Sequence, residues 1–597
     1  MDHSRLLRDQ KGRFMFIGDS ANLSFLREIR VVISDSQGSC SFVDDPLQSC
    51  MVEAIPDDNA KSFDPTSCET PPNISFSDAC ELVEQFFTCT SGLIDLFDEP
   101  SIMDELPGVF STGPGNYLSR AIVYLVMAIG AQNLAQDTQG WAEVLFSRGR
   151  YLTAQYLTDD VSVQTAQLYL LTAVYLLGAC RRNAAFICLG HAVRSAYALG
   201  VHQKSVSLLF PKTGQRERER LWNGIRAIDL FSSASLGRPS FTAETRQVGD
   251  SNDEYISNEL YAILETVLND VYGQRRVTSD LLTKIGARLR QWAAAFTNKR
   301  GSLNRHIGLD LGEMHLRQTY YWTIMLLTRP FLVDRVAAHA QTVSATPGGP
   351  VQPCAATNPS RTLVHACVDS AIKTIALLEP LVGHDSVPKH LPVLINAAFH
   401  SGLVVGLSYF GDLYQIFPLE RALETAHKIL QKFPHDLVAL RNSSIITYLQ
   451  ESCAAYLQKR RSGDLAVEND AICQLFGQIH EPLKANGNAT GRSRNGHSRT
   501  ATPPREENQM WESATEGVSN GADSLLSPAG LSTQDASFTG GDLAAENDLL
   551  SLLSGDSALD LEFPMTNQLA WIGSGNDFAS LFAMVDMEER NLVSSRQ

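Results

Sequence analysis

The chain has 597 residues, 44% of them hydrophobic and 19% charged, and a formal net charge of −17; this length admits several domains and a large core. Of its 66 acidic residues, sixteen lie between Glu506 and Glu589 with no Lys, Arg or His among them, which leaves 50 acidic against 49 basic residues elsewhere. Neither part has the positive excess that phosphate binding draws on, the eleven scattered cysteines contain no C-x-x-C pair for a zinc ribbon, and the apolar run after the basic start is too short for a secretory signal.

In chain order, the first element is "GRFMFIGDSANLSFLREIR" (12–30). A short apolar strand leads into Gly18-Asp19-Ser20, the arrangement in which a GDS-type hydrolase presents its nucleophile. Such a serine needs a histidine base and an orienting carboxylate, yet none of the fourteen histidines has an Asp three residues before it. The nearest pair, Glu424 and His427, reads as a solvated helix face. Ser20 is therefore expected to be an N-cap, opening a helix through Leu23, Leu26, Ile29 and Ile33. Residues 34–75, rich in Ser, Asp and Pro, read as a loop or tether.

From Ser77, expected as the next N-cap, the pattern is helical: Leu82, Val83, Phe86 and Phe87, then segments 117–135, 142–157, 163–182 and 183–203. The last carries Phe186, Leu189, Val193, Ala196 and Tyr197 on one stripe, with Gly200 as its stop. Apolar segments 168–180 and 391–410 are expected to be buried helices; the first is too short to span a bilayer and the second holds Pro392, Asn396 and His400. Alternating strand patterns are nearly absent between 77 and 480, no fixed period marks a solenoid, and a Pro/Gly/Ala/Thr loop (341–360) interrupts the helices. Past Leu483 the composition is polar and Gly/Ser/Arg-rich, which reads as disorder.

In "ERERLWNGIRAIDLFSSASLGRPSFT" (217–242), Leu221, Ile225 and Ile228 form one stripe. Trp222 and Asp229, seven apart, share a face, and Arg226 lies three before Asp229, in reach of a surface ion pair. Gly237 is expected to end this helix and Pro239 to prevent its continuation. By itself this is a core helix with a hard stop.

The combination of an Arg-rich lead, Trp222, Asp229 and Leu-Gly237-Arg238-Pro239 resembles the fungal-specific transcription factor domain, the middle homology region of the binuclear zinc cluster regulators. Three further stretches resemble that family in its order: the lead-in 16–30, "GHAVRSAYALGVHQ" (190–203), and "HLRQTYYWTIMLLTRPFL" (315–332), similar to a helix ending in Arg-Pro. The resemblance implies a helical regulatory domain that acts in the nucleus, with possible shuttling to the cytoplasm, on genes of metabolic or secondary-metabolite pathways. Trp222, Asp229, Gly237, Arg238 and Pro239 are expected to have structural roles. Regulators of this family carry an N-terminal cluster of cysteines that holds zinc and sets a helix in the DNA major groove. No such cluster lies in these residues, so direct DNA contact stays open and zinc is expected only if a cysteine cluster lies upstream of Met1. No catalytic or metal site and no membrane contact are expected.

The tail supports a regulatory reading on its own composition. Leu549, Leu550, Leu552, Leu553, Leu559, Leu561, Phe563, Phe578, Leu581 and Phe582 are set among carboxylates, the pattern of an amphipathic activation segment that folds into a partner's groove. Basic runs at Lys459, Arg460 and Arg461 and at 491–499 are candidate import signals. The expected architecture is all-α: lead-in and tether (1–76), a large irregular helical regulatory domain (77–480), a disordered linker (481–540) and the acidic-hydrophobic segment (541–597). The partners expected are the transcription machinery, through the tail, and a DNA-binding partner or a second copy. The alternative is a helical adaptor or co-regulator that binds protein partners without touching DNA.

Overall fold

A computed structural model describes residues 6–9, 11–54, 73–110, 117–134, 140–154, 161–242, 256–301, 309–344, 359–384 and 386–477. The expected linker from 481 onward and the whole acidic segment, with Leu549, Leu550, Leu552, Leu553, Leu559, Leu561, Phe563, Phe578, Leu581 and Phe582, lie outside the described residues, as does the basic run 491–499.

The fold is helical, as the sequence predicts. The described strands are β1 (Leu6–Arg8) and β2 (Phe14–Phe16), an antiparallel hairpin pairing Leu6 with Phe16 and Arg8 with Phe14. The helices are α1 (Asn22–Gln37), α2 (Phe76–Thr90), α3 (Glu99–Glu105), α4 (Pro107–Phe110), α5 (Tyr117–Asn133), α6 (Trp141–Ala154), α7 (Val163–Gly178), α8 (Arg182–Ala198) and α9 (Lys204–Ser207). They continue with α10 (Lys212–Leu236), α11 (Ile256–Thr266), α12 (Ser279–Gly301), α13 (Leu311–Ser344), α14 (Pro359–Leu378), α15 (Pro380–Gly383), α16 (Pro392–Tyr409), α17 (Leu419–Gln431) and α18 (Leu437–Phe476). A π-helical turn, Val267–Gly273, follows α11 directly.

Two layers of helices share one apolar core. In the first, α5 is buried from Ala121 to Asn133 and is wrapped by α2, α6 and α7, with α8 and α10 against α7. In the second, α16 is buried from Val393 to Tyr409 apart from Asn396 and is wrapped by α13, α14 and α17. Burial on all sides explains why the segments singled out as membrane candidates are apolar all round. Among the described residues, only α16 is long and apolar enough by composition to cross a bilayer. Helix α1 lies against α13 and α16, and α10 and α13 both touch α11, so the layers are continuous.

The lead-in belongs to this core. Phe25, Leu26, Ile29 and Ile33 of α1 are fully buried, each contributing about 1.5–3 kcal/mol, so the expected boundary at residue 76 does not divide the packing. The expected tether also starts late. Residues 34–37 complete α1, Phe42 is buried, and Arg30 and Arg441 both bind the buried carboxylate of Asp45. A polar loop composition conceals such a fastening because one buried Asp and one Phe suffice for it. Residues 55–72 of the tether lie outside the described residues.

The caps shift too. Ser75 caps α2, accepting from the Asp78 N–H at 3.1 Å, in place of Ser77. Ala21 occupies the N-cap of α1, in place of Ser20. The Arg-Pro pair does not end its helix: α13 continues through Pro330 to Ser344. Proline removes the amide that would bond the carbonyl four residues back, and here the Tyr272 hydroxyl donates to that carbonyl, Leu326 O, at 2.8 Å. A side-chain donor from the π-helical turn thus replaces the missing backbone donor.

Candidate functional site

All four stretches that carry the family resemblance meet at one joint. Helix α10 ends as predicted: Gly237 takes the left-handed conformation (φ 65°) that glycine adopts without a side-chain penalty, and Arg238 N–H bonds Ser233 O at 3.0 Å. The last carbonyls of a helix have no partner of their own. The lead-in supplies two. Gly18 N–H donates to Leu236 O at 3.1 Å, and the Ser20 hydroxyl donates to Ala234 O at 3.0 Å. The proton of Ser20 is therefore directed at a carbonyl rather than at a base, and its role is to cap the C-terminus of α10. The contact requires glycine on both sides: a Cβ on Gly18 would stand 1.8 Å from Gly237 O, and one on Gly237 would stand 2.4 Å from the carbonyl of Gly18.

Asp229 fastens the chain after the stop. Its Oδ2 accepts from Phe241 N (2.9 Å), Thr242 N (2.7 Å) and Thr242 Oγ1 (2.7 Å). Burial pushes its pKa up, opposed by these donors and by the nearby charge of Arg226. The expected Arg226–Asp229 pair gives way to a buried ion pair between Arg226 Nη2 and Glu265 Oε2 at 2.8 Å, because Asp229 is turned toward residues 241–242. Trp222 is buried edge-on to Tyr197 at 5.7 Å and beside His202, which joins α10 to the "GVHQ" end of the α8 stretch. Arg238 reaches both ways: Nη2 to Asn183 Oδ1 (2.6 Å), Nε to Phe16 O (3.3 Å), and its guanidinium lies over Phe186 at 4.9 Å. Pro239 is exposed beyond the cap.

The other side of the joint is Arg329 of α13. This buried side chain donates to Asp19 O (2.7 Å) and Ser20 O (3.2 Å) and lies over the rings of Phe25 and Tyr272 at 4.7 and 5.2 Å. Arg275, a non-glycine residue with φ 54°, holds the Asp19 carboxylate at 2.7 Å. Glu28 of α1 faces this charge cluster. Burial raises its pKa to about 7, with Asp19 and Asp334 adding to the rise and Arg329 opposing it; burial likewise raises Asp334 to about 6. At the first residue of α1, Asn22 bonds Asn396 at 2.9 Å and the ring of buried His400 at 2.5 Å. Burial, with Arg329 nearby, holds the His400 pKa well below its ordinary value, so the ring is neutral.

Of the residues singled out in the sequence, Trp222, Asp229, Gly237 and Arg238 make the contacts above and Pro239 is exposed; Arg329, Tyr272, Asn22 and His400 were not singled out as site residues. Pro330 was the signal for Tyr272, because a proline inside a long apolar pattern calls for a compensating donor. Asn22 and His400 are 378 residues apart, and no local pattern links them. Among the described residues no group of three His, Cys, Asp or Glu side chains has metal-holding geometry. The basic run is tied down in part: Lys459 reaches Ser36 O at 3.2 Å and Arg460 reaches Asp412 at 2.6 Å, while Arg461 is exposed.

Comparison with known families matches residues 83–248 to the fungal specific transcription factor domain. That stretch runs from within α2 past the end of α10 and holds two of the resembling segments; the lead-in and the Arg329 helix lie outside it and meet it at the joint. The chain is similar to Filamentous growth regulator 27 of Candida albicans, at 21% identity over 478 residues, covering 72% of this chain and 58% of the relative. It is also similar to Activator of stress genes 1 of Saccharomyces cerevisiae, at 23% over 245 residues (34% and 25% of the two chains). Transcription factor asqA of Emericella nidulans matches at 32% over 101 residues (17% and 18%). The matches thus span less than two thirds of the length of these curated relatives. No solved structure matches. The regulators named here and the matched stretch agree: residues 83–248 are similar to the fungal specific transcription factor domain.

Proposed function

We propose that the chain is a transcriptional activator that acts in the nucleus by contact. The helical body is its regulatory platform, and the acidic-hydrophobic segment 541–597 engages the transcription machinery. The observation that carries this reading is the match of residues 83–248 to the fungal specific transcription factor domain, since the relatives found with it are named as regulators and transcription factors. The tail composition supports activation: sixteen carboxylates between Glu506 and Glu589, without a basic residue among them, keep the leucines and phenylalanines there solvated until a groove takes them up. Its targets are genes of a metabolic or secondary-metabolite pathway, the role that the family resemblance implies.

The test tethers the full chain to a reporter promoter through a foreign DNA-binding domain. The reading expects output above that of the foreign domain alone, falling to about a tenth when Leu549, Leu550, Leu552 and Leu553 become Ala, since a few anchors carry most groove-binding energy. A full-length fusion with no output contradicts activation.

A further inference from the structure

Helix α18 changes character along its length. Its first half buries Ala439, Asn442, Ile446, Leu449, Cys453 and Tyr456, spaced alternately three and four apart. From Arg461 to Phe476 every residue but Cys473 is exposed. Leu465, Ile472 and Phe476, spaced seven and four apart, form one stripe, with Leu475 beside it. Leu475 and Phe476 are 77% and 80% exposed. The helix nevertheless has a defined end: Gly477 is left-handed (φ 75°), and its N–H bonds Cys473 O at 2.9 Å.

A segment of this length is a marginal helix in water by itself, and adjacent exposed Leu and Phe side chains are a docking signature. Charge selects the occupant. Residues 462–477 contain Asp464, Glu468 and Asp470 and no Lys, Arg or His. A parallel second copy would set like charges side by side, whereas a groove with an apolar floor and a Lys/Arg rim matches both the stripe and the carboxylates of Asp464 and Glu468, which lie on its Leu475 flank; Asp470 is on the opposite face of the helix. Anchors at 465, 472, 475 and 476 have the spacing by which an amphipathic helix is read in such a groove.

We propose that residues 464–476 are a preformed helical ligand for a partner protein whose apolar groove is rimmed by basic side chains. This second docking element lies outside the acidic tail and rests on the reading of the chain as a transcriptional activator. Because the helix is already formed, the partner meets a lower ordering cost than the tail imposes.

The test uses the full chain tethered to the reporter. Ile472→Ala, Leu475→Ala and Phe476→Ala together should lower output about fivefold or more with the tail intact, at equal protein level and unchanged melting temperature. Asp464→Lys with Glu468→Lys should lower it as well, and Ile472→Leu should keep it. Output that is unchanged in the triple variant but lost in the tail variant overturns this inference and leaves the activator reading standing. A rise in output in the triple variant, or light scattering that shows a dimer converted to a monomer, assigns the face to an inhibitory segment or a second copy and overturns it equally. A fusion silent in every arm sinks the activator reading and this inference together.

Discussion

Two long helices, α10 and α18, finish on the same local signal, a glycine in the left-handed region, and do opposite things with it. At Gly237 the terminal carbonyls are capped by Gly18 and Ser20, and Asp229 fastens the chain that follows. At Gly477 the last turns carry apolar side chains into solvent. The contrast separates two kinds of motif. Residues that define the family resemblance build an internal joint, where close backbone approach and buried charge set shape. Residues suited to meeting a partner lie on elements that the resemblance does not cover. A stop signal in sequence therefore says where a helix ends and nothing about what the end is for.

The joint can be broken most severely at its glycines. Gly18→Ala places a methyl group inside the van der Waals radius of Gly237 O. Strain against backbone is among the few single-residue causes of losses of about 4 kcal/mol or more, and calorimetry should show loss of the folded transition or a large fall in melting temperature. Arg329→Met comes next. It strips the donors from two carbonyls, Asp19 O and Ser20 O, for an expected cost of about 2–4 kcal/mol in denaturant titration.

The pH response sharpens the same comparison. A carboxyl raised to about 7 in the fold, as Glu28 is, binds its proton more tightly folded than unfolded. Its contribution is therefore present at low pH and is lost as pH rises toward 7. Neutral His400 has the opposite sign: the unfolded chain takes up a proton below the ordinary histidine range and the folded chain does not. Glu28→Gln should flatten the stability profile between pH 5 and 7 and raise stability at pH 8 by about 2 kcal/mol. An unchanged profile would mean that Glu28 does not face the cluster as described.

Smaller effects test the α13 proline. Tyr272→Phe leaves Leu326 O without its donor, at a cost of about 1–2 kcal/mol. Pro330→Ala restores the backbone amide, so the cost of Tyr272→Phe should shrink in that background. A double-mutant cycle reads the coupling directly. Least of all, Leu475→Ala and Phe476→Ala should shift stability by under about 0.5 kcal/mol, the range of surface substitutions away from packed features.

How far the sequence revealed this molecule depends on the range of each interaction. The helical class, the burial of 168–180 and 391–410, and the stops at Gly200 and Gly237 are local or periodic features, and they were legible. Ser75 caps α2 in place of Ser77 because nearby serines compete equally until packing chooses between them, and Ala21 stands at the N-cap of α1 because the Ser20 hydroxyl is committed to Ala234 O. The partners of Ser20, Arg226 and Arg329 lie 214, 39 and 309–310 residues away, where no spacing rule reaches. Arg226 shows the limit: the near carboxylate, Asp229, had the right spacing, and the remote Glu265 took the pair.

The central claim, that the chain controls transcription, is tested most directly by transcript profiling of cells in which the gene is deleted and then restored. The account predicts that a defined set of pathway transcripts falls on deletion and returns on restoration of the intact chain. Transcript levels that do not change between the deleted and restored cells would contradict it.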